Sequence, residues 1–190
     1  IYICGGKINI TSTTDAIQAE TTLTIEKGEI NLKTGGGSEN SSKTSGGKDN
    51  PQWGKWGQED SSTTEEDTAS AKGLKAGGDI KISNATITTD TSDDSIHSNS
   101  NVTIESGTFN LKSGDDGIHA DTSTVINNGN IVIEKSYEGI EGSNVTINGG
   151  TIELTASDDG INSAGGSDSS SMGGRMGQNS FTENSDIYIK

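Results

Sequence analysis

The stretch Ser113-Gly114-Asp115-Asp116-Gly117-Ile118-His119-Ala120-Asp121 decides the fold, because close copies of it recur along the chain. The apolar residue after each acidic or equivalent pair serves as a marker, and successive markers are 22, 22, 22 and 21 residues apart. The markers are Leu74, Ile96, Ile118, Ile140 and Ile161, with Ile17 as an earlier copy displaced by an insertion. This period, with β-branched residues at alternating positions and no helical 3.6-residue pattern, indicates a β-solenoid.

Each repeat contains three short strands whose inward positions form columns of apolar residues. The second inward column of the first strand is Ile3, Ile25, Ile82, Ile104, Ile126, Ile147 and Ile189, and the first column of the second strand is Ile8, Ile30, Ile87, Phe109, Ile131 and Ile152. The third strand carries the marker, and two residues later a small residue such as Ala76 or Ala120. Because parallel crossovers are overwhelmingly right-handed, we predict one domain, residues 1–190, folded as a right-handed, single-stranded, three-faced parallel β-helix with about 22 residues per coil.

Two segments interrupt the repeat, at about 35–70 and about 165–184, and both are poor in apolar residues. Loops of this length within a compact repeat are usually functional. The first contains Trp53 and Trp56, the only tryptophans of the chain. An indole in a polar loop either packs back onto the helix or contacts a partner, and a sugar ring suits its flat apolar face. We therefore take both tryptophans as candidate ligand-binding residues, with packing onto the helix as the alternative.

Composition limits the partners. The net charge of −15 argues against nucleic acid and against an anionic membrane surface. No apolar run approaches the ~20 residues of a membrane span, so no membrane insertion is expected. Cys4 is the only cysteine, which excludes an internal disulfide. Strand-like sequence at Ile1-Tyr2-Ile3 and Ile187-Tyr188-Ile189 predicts an open rung at each end, and hence a piece of a longer helix or end-to-end self-association.

Pairs of aspartates precede three of the markers, and we call these six residues the acid corner. They are Asp93, Asp94, Asp115, Asp116, Asp158 and Asp159. Stacked carboxylates repel, so they must splay apart, bind protons or share a cation. Calcium suits such a set, since it takes six to eight oxygen ligands in tolerant geometry. The alternative is that each aspartate caps its own turn.

His97 and His119 follow their markers in adjacent coils and are expected to stack beside the acids. Solvated histidines with pKa values altered by the acids are the favoured interpretation. A zinc site is weakly supported, because no cysteine and no third histidine lies in register.

At these residues the chain resembles the secreted bacterial carbohydrate-binding-domain proteins that are polysaccharide-lyase-like. The resemblance rests on the runs Asp158–Gly166 and Asn144–Ile152. It implies a right-handed parallel β-helix related in shape to pectate lyases, a secreted or cell-surface location, and calcium held by the six aspartates. It also implies binding to plant cell-wall polysaccharide such as cellulose or pectin. The coil at Lys72 departs from the paired pattern, and this lysine can occupy the space that a cation fills elsewhere.

Three functions remain in order of preference. The first is calcium-dependent polysaccharide binding without cleavage, and the second is a structural surface protein that assembles end to end. The third is a calcium-dependent polysaccharide lyase, which needs a base to remove the proton beside a uronate carboxylate. Arg175 is the only arginine, and Lys112 and Lys135 lie near the acid corner without a recognisable motif, so no catalytic residue is assigned.

Overall fold

The computed structural model describes residues 1–41, 70–163 and 185–190. They form a parallel β-solenoid of about six coils with about 22 residues per coil, which confirms the predicted all-β architecture. The single helical turn in the described part of the chain is a 3₁₀ helix at Ser38–Asn40. None of the described helical structure is long and apolar enough to cross a membrane.

The strands form three stacks, one for each strand of the repeat. The first stack contains β1 (Tyr2–Ile3), β4 (Leu23–Ile25), β7 (Ile80–Ile82), β10 (Asn101–Ile104), β12 (Ile118–Ile126), β14 (Ile140–Ile147) and β17 (Asp186–Ile189). The second contains β2 (Lys7–Ser12), β5 (Gly28–Thr34), β8 (Ala85–Thr91), β11 (Gly107–Ser113), β13 (Asn130–Ser136) and β15 (Thr151–Ala156). The third contains β3 (Ile17–Ala19), β6 (Leu74–Ala76), β9 (Ile96–Ser98), the first halves of β12 and β14, and β16 (Ile161–Asn162).

Two long strands join the third stack to the first. β12 and β14 continue through the corner between them, so the two stacks make one 11-stranded sheet, while the second stack is a separate 6-stranded sheet. The pairing of β12 with β14 shifts register between Ala120 and Ser123, where the chain turns this corner. All strand pairs are parallel, as the repeat requires.

The core consists of the predicted columns. In the third stack each marker pairs with the marker of the next coil, from Ile17 with Leu74 to Ile140 with Ile161. Ile96 and Ile118 are fully buried in the middle of this column. Alternation places every second residue inside, and stacked β-branched side chains fill the interior from coil to coil. The predicted marker column is therefore confirmed.

The acid corner requires a glycine because the coils approach closely there. A Cβ added at Gly117 would lie 2.6 Å from the carbonyl oxygen of Gly139 and 2.7 Å from Cδ1 of Ile133. Neither contact is tolerated without movement of the next coil. Gly117 thus fixes the backbone directly after Asp116, and so positions that carboxylate.

The terminal strands expose apolar residues. Tyr2 is 62 % exposed and Ile189 is 66 % exposed, because β1 and β17 each have a strand neighbour on one side. End-to-end self-association stays a prediction. Trp53, Trp56, Arg175 and most of both insertions lie outside the described residues.

Candidate functional site

The acid corner lies where the chain passes from the second stack to the third. Asp94 and Asp116 are outward-facing yet only 2 % and 7 % exposed, and they occupy equivalent positions in adjacent coils. Asp93 and Asp115 beside them are partly buried. Asp158 and Asp159 are exposed, so the six predicted aspartates do not share one environment.

A second outward column runs beside the acid corner, formed by the residue after each marker. We call it the histidine column, and strand pairing places its members in register: Gln18, Lys75, His97, His119, Glu141 and Asn162. Glu141 is only 3 % exposed. Lys75, His97 and His119 of this column contact Asp15, Asp94 and Asp116, so the two columns form one electrostatic cluster.

Lysine side chains neutralise the upstream end of this cluster. The Lys72 Nζ atom lies 2.7 Å from Asp93 Oδ1 and 2.7 Å from Asp94 Oδ2. Lys75 of the same coil contacts the preceding coil, with its Nζ atom 3.0 Å from Asp15 Oδ2. Lys72 therefore occupies a position between two carboxylates, as the sequence had suggested. Because the ion pair is buried, loss of the lysine would leave an unpaired buried charge and destabilise the fold.

His97 and His119 stack with ring centroids 4.8 Å apart and planes inclined by 24°. Stacking was expected, but the rings are not solvated, since their side chains are only 15 % and 12 % exposed. His97 Nδ1 lies 2.8 Å from Asp94 Oδ2, and His119 Nδ1 lies 2.9 Å from Asp116 Oδ2. Each imidazole thus binds the buried acid of its own coil.

The pKa of Asp94 shows how the cluster balances its charges. Burial on its own raises this pKa, but the hydrogen bond with His97 and the positive charge of Lys72 outweigh it. The net result is a pKa well below the usual range of a carboxyl. In turn, the pKa of Lys72 is raised: burial lowers it, but the negative charges of Asp94 and Asp93 prevail.

The pKa values of Asp116 and His119 are both raised. Burial raises the pKa of Asp116 to about 8, against the hydrogen bond with His119. The negative charges of Asp94, Asp115 and Glu141 add to this rise. Burial lowers the pKa of His119, but its hydrogen bonds with Asp116 and Glu141 raise it to about 11. This part of the cluster therefore holds protons, because its carboxylates outnumber its cations.

Two of the acids also cap the following coil. Asp94 Oδ1 accepts a hydrogen bond of 3.0 Å from the backbone N–H of Asp116, and Asp15 Oδ1 accepts one of 2.8 Å from that of Lys72. Asp93 Oδ1 instead accepts from the adjacent N–H of Asp94 at 3.0 Å. Capping within one turn was the sequence-based alternative to a metal. Capping from coil to coil was not expected, and it orients Asp94 without using its second oxygen.

Among residues 1–41, 70–163 and 185–190, three groups of side chains have donor atoms close enough to share a metal ion. The groups are Asp93 with Asp94 and Asp115; Asp94 with His97 and His119; and Asp116 with His119 and Glu141. Within each group the donor atoms lie within 4.8 Å of one another. The first offers only oxygens, as calcium prefers, whereas the other two include an imidazole nitrogen, as transition metals prefer.

A family model described as a carbohydrate-binding domain-containing protein matches residues 1–117 and again residues 100–180. The chain belongs to this family. Searches of curated proteins and of solved structures found no match. The matches to this carbohydrate-binding domain family cover the acid corner, with Asp115 and Asp116 in the overlap of the two ranges. Asp93 and Asp94 lie only in the first range, and Asp158 and Asp159 only in the second.

Both ends of the first insertion lie against this part of the carbohydrate-binding domain. At its start, Ser41 Oγ donates a hydrogen bond of 2.5 Å to the carbonyl oxygen of Gly114, directly before the Asp115–Asp116 pair. At its end, Ser70 Oγ donates one of 2.7 Å to Asp15 Oδ1. The segment between these anchors contains Trp53 and Trp56, which are outside the described residues.

Sequence reasoning placed His97 and His119 beside the acids but missed that Gln18, Lys75 and Asn162 continue the same column. The acids were found as a column because they repeat as the same residue type. Gln18, Lys75 and His97 share a position but not a residue type, so only the marker-plus-one spacing could have revealed that they belong to one column. That spacing was available from the sequence.

Proposed function

We propose that this carbohydrate-binding domain binds plant cell-wall polysaccharide at the cell surface or in the extracellular medium, with calcium and without cleaving it. Membership of the carbohydrate-binding domain family carries the proposal, since the match extends over most of the coils. Cellulose and pectin are the proposed polymers, one neutral and one acidic.

Calcium is proposed at the acid corner, where the carboxylates of Asp93, Asp94 and Asp115 converge. An all-oxygen set fits a hard cation. The Lys72 ammonium already contacts two of these carboxylates, so calcium has to share or displace it. Asp116 is proposed to extend the oxygen set through Oδ1, since its Oδ2 faces His119, and the exposed pair Asp158–Asp159 offers a weaker position. A calcium ion with open coordination sites can also bind the carboxylate of a uronic acid, which would explain an acidic polymer as ligand.

A neutral polymer needs a different surface. The outer face of the second stack carries amide and hydroxyl groups in register, with Asn9 opposite Asn31, Asn31 opposite Thr88, and Thr88 opposite Asn110. Asn31 Nδ2 donates a hydrogen bond of 2.9 Å to Asn9 Oδ1. Such a flat ladder of donors and acceptors can pair with sugar hydroxyls. Trp53 and Trp56 are proposed to add stacking surfaces beside it.

Catalysis is disfavoured by the state of the lysine nearest the acids. A lyase base must lose its proton near neutral pH. The pKa of Lys72 is raised instead, chiefly by Asp94 and Asp93 against the effect of burial, so its ammonium keeps its proton. This supports binding without cleavage.

The experiment is retention on insoluble cellulose and on immobilised polygalacturonate, each with calcium or with chelator. Chelator is expected to weaken retention on the acidic polymer, and the double variant Trp53→Ala/Trp56→Ala to weaken retention on cellulose. The variant Asp93→Asn/Asp115→Asn should lose retention on polygalacturonate. Asp79→Asn/Glu105→Gln removes the same charge away from the corner and serves as its control.

Two outcomes would overturn the proposal. No retention on either polymer would remove the binding function. The appearance of unsaturated uronide absorbance on incubation with pectate would show a lyase instead.

A further inference from the structure

The environment of His119 differs from that of any other basic group in the described chain. Its Nδ1 atom lies 2.9 Å from Asp116 Oδ2 and also 2.9 Å from Glu141 Oε2. Its Nε2 atom lies 3.1 Å from Asp121 Oδ1. One imidazole is therefore enclosed by three carboxylates, two of them on the same nitrogen.

A single proton on Nδ1 cannot make two well-aligned hydrogen bonds to the Asp116 and Glu141 oxygens. An Nδ1–H bond has one direction in the ring plane, so it can point at Asp116 or at Glu141 but not straight at both. The Nε2–H bond is already directed at Asp121, which fixes the ring orientation. If Nδ1 carried no proton, its lone pair would face two carboxylate oxygens with nothing positive between them. A cation between Nδ1 and these two oxygens would contact all three atoms at once, which a proton on Nδ1 does not.

We propose that Nδ1 of His119 and the carboxylates of Asp116 and Glu141 bind a divalent transition-metal ion of the zinc type. The ion replaces the proton between the three donors, and water completes its coordination. Two carboxylates and one imidazole are a donor set that such ions accept. The dipositive ion takes the place of the protons that Asp116 and Nδ1 of His119 hold without metal, so binding releases protons to the solvent.

Asp121 completes the arrangement as an outer partner. Metal-binding histidines usually donate the hydrogen of their other ring nitrogen to a carboxylate, which orients the ring and strengthens the donor. The contact between His119 Nε2 and Asp121 Oδ1 has this form. Asp121 itself is 41 % exposed, so it positions His119 without belonging to the buried donor set.

The fold holds the donors in place from two adjacent coils. His119 and Glu141 are direct partners in the β12–β14 pairing, and Asp116 lies two residues before the start of β12. Bond lengths of about 2.0–2.2 Å place tetrahedral donors about 3.3 Å apart. The observed 2.9 Å separations therefore have to widen by about 0.4 Å, which side-chain rotation can supply. The chain thus presents a largely preformed site.

The neighbouring group around His97 is a poorer candidate. The Asp94 Oδ2 atom that faces His97 Nδ1 is also 2.7 Å from the Lys72 ammonium, so a fixed positive charge already balances it. The two stacked histidines are therefore predicted to differ, with His119 binding the metal and His97 remaining an ion-pair partner. This makes His97 a matched control.

The experiment is calorimetric titration of metal-stripped protein with zinc chloride, with calcium chloride present in excess. One equivalent of zinc is expected to bind, and calcium is not expected to displace it. His119→Gln and Glu141→Gln should each weaken binding more than tenfold, while His97→Gln leaves it within a factor of about two. Cobalt(II) added to the stripped wild type should give a visible absorption band that is absent in His119→Gln.

Asp121→Asn is a variant that is expected to fold normally, because the Asp121 side chain lies outside the buried cluster. It should weaken zinc binding about tenfold, the usual effect of losing an outer partner. Circular dichroism of each stripped variant checks that the solenoid is intact. Absence of zinc binding by the wild type, undiminished binding by Glu141→Gln, or equal losses in the two histidine variants would each overturn the proposal.

Discussion

Lys72 holds the position between Asp93 and Asp94 for which a calcium ion would compete, and its replacement tests that competition. Its side chain is 13 % exposed and that of Asp94 is 3 % exposed, so Lys72→Met leaves a buried carboxylate without its lysine partner. Breaking one side of a buried ion pair costs about 3 kcal/mol or more. We expect the variant to unfold at lower temperature in chelator and to recover more stability from calcium than the wild type does.

The control for this prediction is Lys75→Met, which removes the ion pair with Asp15 but leaves the acid corner alone. It should lower stability with and without calcium by the same amount. Equal calcium-induced shifts in melting temperature for Lys72→Met and wild type would mean that lysine and calcium do not share a position.

His119 makes stability depend on pH in the alkaline range. Its pKa is raised to about 11 in the folded protein by hydrogen bonds with Asp116 and Glu141, which outweigh burial, and it is about 6.5 when unfolded. The stabilisation is therefore complete below about pH 6.5 and is lost as the pH rises towards the folded value. Between these two pKa values, the free energy of unfolding falls by up to about 1.4 kcal/mol per pH unit, because the folded state binds a proton that the unfolded state has lost.

Chemical unfolding of wild type and His119→Gln at pH 7, 8 and 9, without added metal, measures this slope. The wild type should lose stability steadily as the pH rises, and the variant should lose clearly less. Parallel curves for the two proteins would show that His119 does not keep its proton in the folded state.

At the residue scale, the sequence predicted the acids, the two histidines beside them and Lys72 in the place of a cation, but not which atoms pair. Asp94 and Asp116 were predicted because repulsion between stacked carboxylates follows from their spacing alone. The pairing of Lys72 with two acids, and of His119 with Glu141 in the next coil, depends on side-chain directions at a corner. Those directions are set by coil-to-coil contacts that no single repeat contains.

At the element scale, the close approach of coils at the acid corner predicts a strong effect of Gly117→Ala. The added methyl group would collide with the carbonyl oxygen of Gly139, which belongs to the next coil. Overpacking of this kind costs about 1–3 kcal/mol. Urea unfolding should show this loss, together with weaker calcium or zinc binding, since Asp116 is displaced.

Gly149→Ala is the matched control, because the nearest atom to its added Cβ is the Asn127 carbonyl oxygen at 3.2 Å. It should cost clearly less than Gly117→Ala and leave metal binding unchanged. If both variants lose the same stability, the close approach of Gly139 at Gly117 has no effect beyond the general effect of replacing a glycine on the backbone.

The strands themselves were largely predictable. Inward positions such as Ile87, Phe109 and Ile131 repeat at fixed spacing, and a period-two pattern has only one way to bury them in a parallel stack. The fusion of the third and first stacks through β12 was not predictable. It arises because Asp121 and Thr122 remain extended at a corner where other coils turn through residues such as Gly77 and Gly78.

At the scale of the whole molecule, the net charge of −15 decides how the protein meets an acidic polymer. Like charges repel over a Debye length of about 30 Å at 0.01 M salt and about 8 Å at 0.15 M salt. We therefore expect no retention on polygalacturonate at low salt in chelator. Calcium should restore retention, because an ion shared between the acid corner and a uronate carboxylate replaces repulsion by direct coordination.

Sodium chloride separates this bridging from simple screening. Raising the salt from about 0.01 M to about 0.15 M in chelator shortens the range of repulsion but supplies no shared ligand, so retention should stay low. Retention on cellulose, which carries no charge, should be indifferent to both additions. If sodium chloride restores binding to polygalacturonate as fully as calcium does, calcium acts only by screening, and the acid corner is then a structural cluster rather than a contact with the polymer.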